Sequence, residues 1–198
     1  MSEDALELQM LIQAAQRGDE HAFETLLSRF ESPIFRCVYA ILGNRTDAED
    51  VTQEVFIKLW RTLPHYRFQS AFLTYLTKIA HNTAMDFLRA NKRRREMTTS
   101  LYITEDNGEQ TPLPIADPDR QSDPVQGYLD AEKSAMLHDA LLQLPPDARE
   151  LITLRAVCGH SYREIAAILS LTEGTVKSRL HRAKKILIKI LEHGNFFE

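Results

Sequence analysis

The sequence predicts an all-α protein made of two small helical domains joined by an acidic, flexible linker. Three observations carry that prediction. Apolar residues recur at helical spacing along most of the 198-residue chain, and convincing two-residue alternation is absent. Residues 96–128 carry Pro112, Pro114, Pro118 and Pro124, have seven acidic side chains against one basic, and show no helical stripe. The flanking segments regain amphipathic periodicity and each has a net charge of +1. Domains are therefore expected at residues 1–95 and 129–198, with 96–128 as a tether.

The elements follow in order from periodicity and stop signals. Two amphipathic helices are expected near Leu6–Arg17 and Ala22–Leu42, broken by Gly18-Asp19 and ended by Gly43-Asn44. A third runs from Asp47 to Leu63, with Val51, Val55, Phe56, Leu59 and Trp60 at helical spacing and Pro64 as its stop. A loop over His65–Ser70 leads to a long helix from about Ala71 to Arg94. Beyond the tether, helix resumes over Leu129–Gln143, Leu144-Pro145-Pro146 interrupts it, and helices follow at Pro146–Val157, Tyr162–Leu169 and Glu173–Leu191.

Composition excludes several classes. A chain that is 43% hydrophobic and 26% charged is neither disordered, collagenous nor membrane-spanning. Its first twenty residues lack the basic start and apolar block of a secretory signal. Seven glycines leave little room for a phosphate-cradling loop. Cys37 and Cys158 lie far apart without CxxC spacing, so neither a disulfide framework nor a cysteine-rich zinc site is expected. Reduced thiols in a cytoplasmic protein are the expectation, with no metal and no cofactor.

The net charge of −4 hides two compact cationic stretches. Lys78–Arg95 holds six basic residues against Asp86 alone, and Thr172–Ile190 holds six against Glu173 alone. Such stretches suggest anion-binding surfaces, with solvated helix faces as the plain alternative. In the second stretch, Lys177, Ser178, His181, Arg182 and Lys185 share one side of the helix, while Val176, Leu180, Ala183 and Leu187 share the other. The preceding short helix opens on Ser161-Tyr162-Arg163-Glu164, which has capping-box form, and Thr172 is placed to cap the next. Short capped helix, tight turn and basic second helix are the requirements of a helix-turn-helix DNA reader.

In the long N-terminal helix, Asn82, Asp86, Arg89 and Arg93 form a narrow polar stripe able to meet base edges and phosphates. The aromatic and cationic segment just before it, Tyr66–Phe72, could hold unstacked bases, although core packing is the commoner fate of each ring. The third helix differs. Asp50, Gln53 and Glu54 beside Phe56 and Trp60 make a surface that repels DNA and suits a protein partner.

These residues resemble a known family. Asp50–Trp60 (DVTQEVFIKLW) is similar to the polymerase-core-binding segment of bacterial sigma-70 family factors, and Tyr75–Arg89 (YLTKIAHNTAMDFLR) resembles the segments that melt and read the −10 element. Leu144-Pro145-Pro146, Gly159–Ala166 and Gly174–Ala183 resemble region 4, the −35 reader. Lacking the family's other domains, the chain is similar to the compact extracytoplasmic-function (ECF) group. The family usually places Trp where Tyr75 stands.

The resemblance implies a promoter-specific initiation subunit of RNA polymerase, with no catalytic residues and no small-molecule substrate. It implies that Asp50, Gln53, Glu54, Phe56 and Trp60 bind the clamp of the largest catalytic subunit. It assigns Tyr75, Lys78, Asn82, Asp86, Arg89 and Arg93 to the −10 region, and Arg155, Thr175, Lys177, Ser178, His181 and Arg182 to the −35 element. An anti-sigma factor is implied as a further partner. Two other classes stay open on the residues alone. A free-standing helix-turn-helix regulator would bind DNA without polymerase, and a nuclease would need a carboxylate cluster that the scattered side chains do not suggest.

Overall fold

The computed structural model describes residues 3–99 and 136–193, and every described regular element is helical. The N-terminal bundle contains α1 (Glu3–Gln16), α2 (Glu20–Leu42), α3 (Arg45–Thr62), a 3₁₀ turn at Leu63–His65, and α4 (Phe72–Thr99). The C-terminal bundle contains α5 (residues 136–142), α6 (Pro146–Ile152), α7 (Tyr162–Leu169) and α8 (Glu173–His193). The expected tether lies, apart from its first residues, outside the described region, as does the N-terminal half of the helix expected at 129–143.

Local chemistry sets the boundaries. Asp19 caps α2 by accepting the Ala22 N–H at 3.0 Å, and Asn44 caps α3 by accepting the Asp47 N–H at 3.0 Å. Gly43 ends α2 at φ 77°, a left-handed conformation that costs glycine little. Two boundaries depart furthest from expectation. α4 continues past Arg94 to Thr99, and the helix expected over Pro146–Val157 is α helix only to Ile152. Thr153–Val157 then widens into a π turn, closed by the Cys158 N–H on the Thr153 carbonyl at 3.0 Å. Such inserted turns re-aim the side chains that follow.

Among the described residues the buried apolar side chains gather into two clusters, one per bundle. Leu26, Ile34, Val51, Leu59, Leu63 and Leu76 lie in the first, and Leu141, Leu144, Leu154, Ile165 and Leu180 in the second. Truncating one such leucine to alanine costs about 2–5 kcal/mol, so each cluster is a substantial anchor for its own helices.

The two bundles dock. On α4, Thr74, Thr77 and His81 form a buried polar stripe that faces the C-terminal bundle. The Thr74 hydroxyl donates to Glu164 Oε1 at 2.7 Å, the Thr77 hydroxyl meets His160 Nε2 at 2.9 Å, and His81 Nε2 meets Glu150. Arg149 lends its guanidinium to the Ile41 carbonyl at 3.3 Å while also holding the carbonyls of Leu141, Leu142 and Leu144. The rings of Tyr39 and His138 stack at 4.2 Å, and a Cβ placed on Gly43 would run into the Leu142 side chain.

This docking corrects the reading of the cysteines. Cys37 on α2 and Cys158 after the π turn are joined as a disulfide, with Cα atoms 5.8 Å apart across 121 residues of sequence. Sequence spacing excludes local motifs, but it carries no information on which faces of two bundles meet. Reduced thiols were the expectation; the docked fold pairs them.

Candidate nucleic-acid interface

The helix-turn-helix surface is built from its caps outward. Ser161 and Glu164 form the expected capping box, with the Ser161 N–H and hydroxyl donating to Glu164 Oε2 at 2.8 and 2.7 Å and the Glu164 N–H returning to Ser161 Oγ. Thr172 Oγ1 accepts the Thr175 N–H at 3.2 Å and so opens α8 as expected. Ile165, Ala166 and Ile168 of α7 pack against Val176, Leu180 and Ala183 of α8. That packing turns Lys177, Ser178, His181 and Arg182 outward, all exposed on one side of α8, with Thr175 half-buried at its start.

A shallow hollow runs along this face, lined by Tyr162, Gly174, Lys177, Ser178, His181 and Lys184. Tyr162 and Lys184 were not among the predicted site residues. Lys184 was legible, because it lies three residues beyond His181 and at nearly the same helical angle as Lys177. Arg155 is exposed but held: its Nη1 donates to the His160 carbonyl at 2.8 Å, and its guanidinium lies 5.5 Å from the Tyr162 ring centre. The π turn thereby carries a cation to the edge of the recognition surface.

The polar stripe of α4 lies beside the docking stripe. Lys78, Asn82, Asp86, Arg89 and Arg93 are exposed, and Leu76, Ala80 and Ala84 of the same helix are buried. Asp86 and Arg89 pair at 2.8 Å, so each occupies its neighbour's polar groups in the absence of DNA. Arg93 Nε donates weakly to the Arg89 carbonyl at 3.4 Å. Tyr75 is half-buried, packed at a tilt against Tyr66 and Phe72, and its hydroxyl donates to Thr62 Oγ1 at 2.8 Å. Tyr75 therefore braces the loop as well as edging the surface.

The loop before α4 divides its aromatics between core and solvent. Tyr66 and Phe72 are buried, and the Tyr66 hydroxyl donates to the Ser70 carbonyl at 2.6 Å. Burial, with help from the nearby Tyr75 ring, raises the Tyr66 phenol above its ordinary pKa. Phe68 is the exception: it is 40% exposed and sits at φ 56°, a strained conformation for a bulky residue.

The third surface lies on α3. Asp50, Gln53, Glu54 and Trp60 are exposed and Phe56 is half-buried, with Ile57 at 53% exposure between them. Trp60 packs edge-to-face with Phe23 at 4.7 Å and is 41% exposed. Ile57, missed as a site residue, was marked by an apolar side chain on an otherwise acidic face. Lys58 turns away from that face to bond Thr83 Oγ1 at 3.2 Å, while still pairing with Glu54 at 2.8 Å. An acidic rim around exposed Trp and Ile is protein-binding chemistry. Among the described residues no three potential metal ligands cluster, and no helix is long and apolar enough to cross a membrane.

The chain has relatives among known proteins. Residues 26–94 match the family model described as Sigma-70 region 2, and residues 134–187 match Sigma-70, region 4. The chain is 36% identical over 184 residues to the RNA polymerase sigma-H factor of Pseudomonas aeruginosa, covering 93% of each chain. It is 35% identical over 179 residues to the ECF RNA polymerase sigma-E factor of Haemophilus influenzae, covering 90% of this chain and 92% of that protein. Among solved structures, CnrH in complex with the cytosolic domain of CnrY has a TM-score of 0.65 at 24% identity, covering 93% of this chain and 96% of that one. The sigma factor RpoE of Bartonella quintana, solved with the anti-sigma factor NepR, has the same TM-score and identity over 86% of this chain and 96% of its own. These last two likenesses are likenesses of fold.

Proposed function

Because the chain belongs to the sigma-70 family of bacterial RNA polymerase sigma factors, in its ECF branch, we propose that its exposed faces divide the work of initiation. In this reading residues 1–95 dock on core polymerase and engage the −10 element, residues 129–198 read the −35 element, and 96–128 tether them. Asp50, Gln53, Glu54, Phe56 and Trp60 bind the clamp of the largest catalytic subunit. Lys78, Asn82, Asp86, Arg89 and Arg93 meet the −10 region, with Tyr75 bracing its edge. Arg155, Thr175, Lys177, Ser178, His181 and Arg182 hold the −35 element. The protein performs no chemistry itself, and it works in the cytoplasm, where the polymerase is.

The observation that carries this reading is the coexistence of unlike surfaces on two bundles. The exposed cationic side of α8 and the stripe on α4 attract DNA, whereas the acidic, aromatic side of α3 repels it and attracts protein. A chain of net charge −4 with two small cationic patches holds bare DNA poorly, so core polymerase must supply the rest of the affinity. RpoE, of similar fold, is solved with an anti-sigma factor, and a regulator of that kind completes this reading. Run-off transcription with purified core enzyme on a genomic promoter library tests the reading. Specific transcripts that require both core and this chain are expected. A shift of promoter DNA by the chain alone, with no transcript when core is added, would replace the reading with a free-standing regulator.

A further inference from the structure

The Cys37–Cys158 disulfide joins the two bundles whose separate surfaces read the two promoter elements. We propose that this pair is a reversible thiol-oxidation site, a latch that holds the bundles docked and silences the sigma factor until it is reduced. The inference rests on the proposed division of −10 and −35 reading between the bundles.

Geometry makes the closed form incompetent. Promoter elements two helical turns apart lie about 70 Å from one another. The disulfide holds α2 and the π turn in contact, with Cα atoms 5.8 Å apart. Both reading faces remain exposed in this form, so either bundle could touch DNA, but one chain cannot span both elements. Apart from the disulfide, the Tyr39–His138 stack and Leu142 against Gly43, the seam described above is polar: Thr74–Glu164, Thr77–His160, His81–Glu150 and Arg149 with the Ile41 carbonyl. Polar contacts of this kind exchange readily for water, and inter-domain seams built from them open and reclose rather than staying shut. The covalent bond therefore decides whether the bundles separate.

Compartment points the same way. A protein that works beside RNA polymerase lives where thiols are kept reduced, and disulfides found there are transient and redox-sensing. The two sulfurs differ in access, since Cys37 is buried and Cys158 is half-buried at the end of the π turn. A peroxide that reaches the docked, reduced chain therefore meets Cys158 first. The Cys158 thiolate attacks one peroxide oxygen, the O–O bond breaks, and the departing hydroxide takes a proton to leave as water, giving a sulfenic acid. Docking brings the Cys37 thiolate onto that sulfur. The S–S bond forms, the S–O bond breaks, and a second water leaves. One peroxide is reduced to two waters as two thiols become one disulfide. A dithiol reductant reverses the step by exchange, becoming a disulfide itself as both cysteines regain their protons.

The test uses the full chain with bacterial core enzyme and a genomic promoter library. Hydrogen peroxide is the oxidant and dithiothreitol the reductant, and mass spectrometry of the peptides quantifies the cross-link. Wild-type output should fall in proportion to the latched fraction, roughly tenfold when about nine-tenths is cross-linked, and recover on reduction. Cys158→Ser and Cys37→Ala should transcribe like the reduced wild type and ignore peroxide. Small-angle scattering should show the wild type compact when oxidised and larger on average when reduced, as docked and open forms exchange. Oxidised protein that carries the cross-link yet transcribes fully overturns the latch, as does failure of peroxide to form the cross-link. If the reduced chain and both variants are silent with core while scattering still reports the redox-dependent opening, the promoter-reading assignment has failed and the latch has not. If Cys37→Ala proves misfolded by circular dichroism, Cys158→Ser alone decides.

Discussion

Oε1 of Glu164 accepts the Thr74 hydroxyl at 2.7 Å across the seam between the bundles, while Oε2 of the same carboxylate completes the capping box of α7 at Ser161. One side chain thus serves both the start of the helix-turn-helix and its docking on α4. The Thr74 hydrogen bond, followed by that from the Ser161 backbone, lowers the Glu164 carboxyl to a pKa of about 2.

Thr74→Val should separate those two roles. It removes the docking bond and leaves the cap, so in reduced protein it shifts the bundles toward separation by about 1–2 kcal/mol, the lower end being expected for a carboxylate that retains some solvent. Glu164→Ala loses the cap as well, at a further cost of about 1 kcal/mol to α7. Scattering of the reduced proteins reads the first effect and amide exchange in α7 the second. Equal α7 protection in the two variants would refute the dual role.

Acid should open the reduced seam well before it unfolds either bundle. Burial holds His160 below its ordinary pKa of 6.5, the opposing Glu164 carboxylate only partly offsetting this, and burial does the same to His138 beside Asp139 and Arg149. A histidine kept neutral by docking but free to protonate when released favours the docked form fully above 6.5, and that preference is lost as pH falls below it. Glu164 acts in the same sense over a lower range: its contribution is complete above 4.5 and is lost only as pH falls toward about 2. Opening of a Cys158→Ser protein, followed by scattering between pH 8 and 5, should therefore track histidine, and His160→Gln should flatten the curve. An unchanged profile in His160→Gln would remove His160 from the account.

On α8, Lys177→Ala and Arg182→Ala should weaken promoter binding of the holoenzyme across sequences and each reduce the salt slope by about 1. Ser178→Ala and His181→Ala should instead change the preference among −35 sequences, by about 1–3 kcal/mol for a base-edge contact. Anisotropy titrations at several salt concentrations separate the two outcomes. Slopes that do not move would place Lys177 and Arg182 off the phosphates.

On α3, Trp60→Ala and Asp50→Arg should each weaken core association by about 2 kcal/mol, as expected for an aromatic anchor and for a reversed charge at an interface. Asp50 is exposed, so Asp50→Arg should leave thermal stability within about 0.5 kcal/mol, whereas Trp60→Ala also loses the Phe23 contact and should cost about 1 kcal/mol. Core affinity equal to that of the wild type would move the docking face elsewhere.

Much of this molecule was legible in one dimension. The capping box at Ser161–Glu164, the Thr172 cap, the buried side of α8 and the exposed sides of α3 and α4 all follow from residues within a few positions of one another. Even the split fate of the loop aromatics follows the general rule that large rings pack, although Phe68 escapes it through a backbone conformation that no local pattern announces.

What the sequence by itself determined was the set of helices and the chemistry of each face, because a 3.6-residue repeat sorts side chains by near neighbours alone. Only the tertiary structure decided that Thr74, Thr77 and His81 meet Glu164, His160 and Glu150, and that Cys37 meets Cys158. Those partners lie between 69 and 121 residues apart, a separation across which spacing says nothing and only the matching of two folded surfaces chooses.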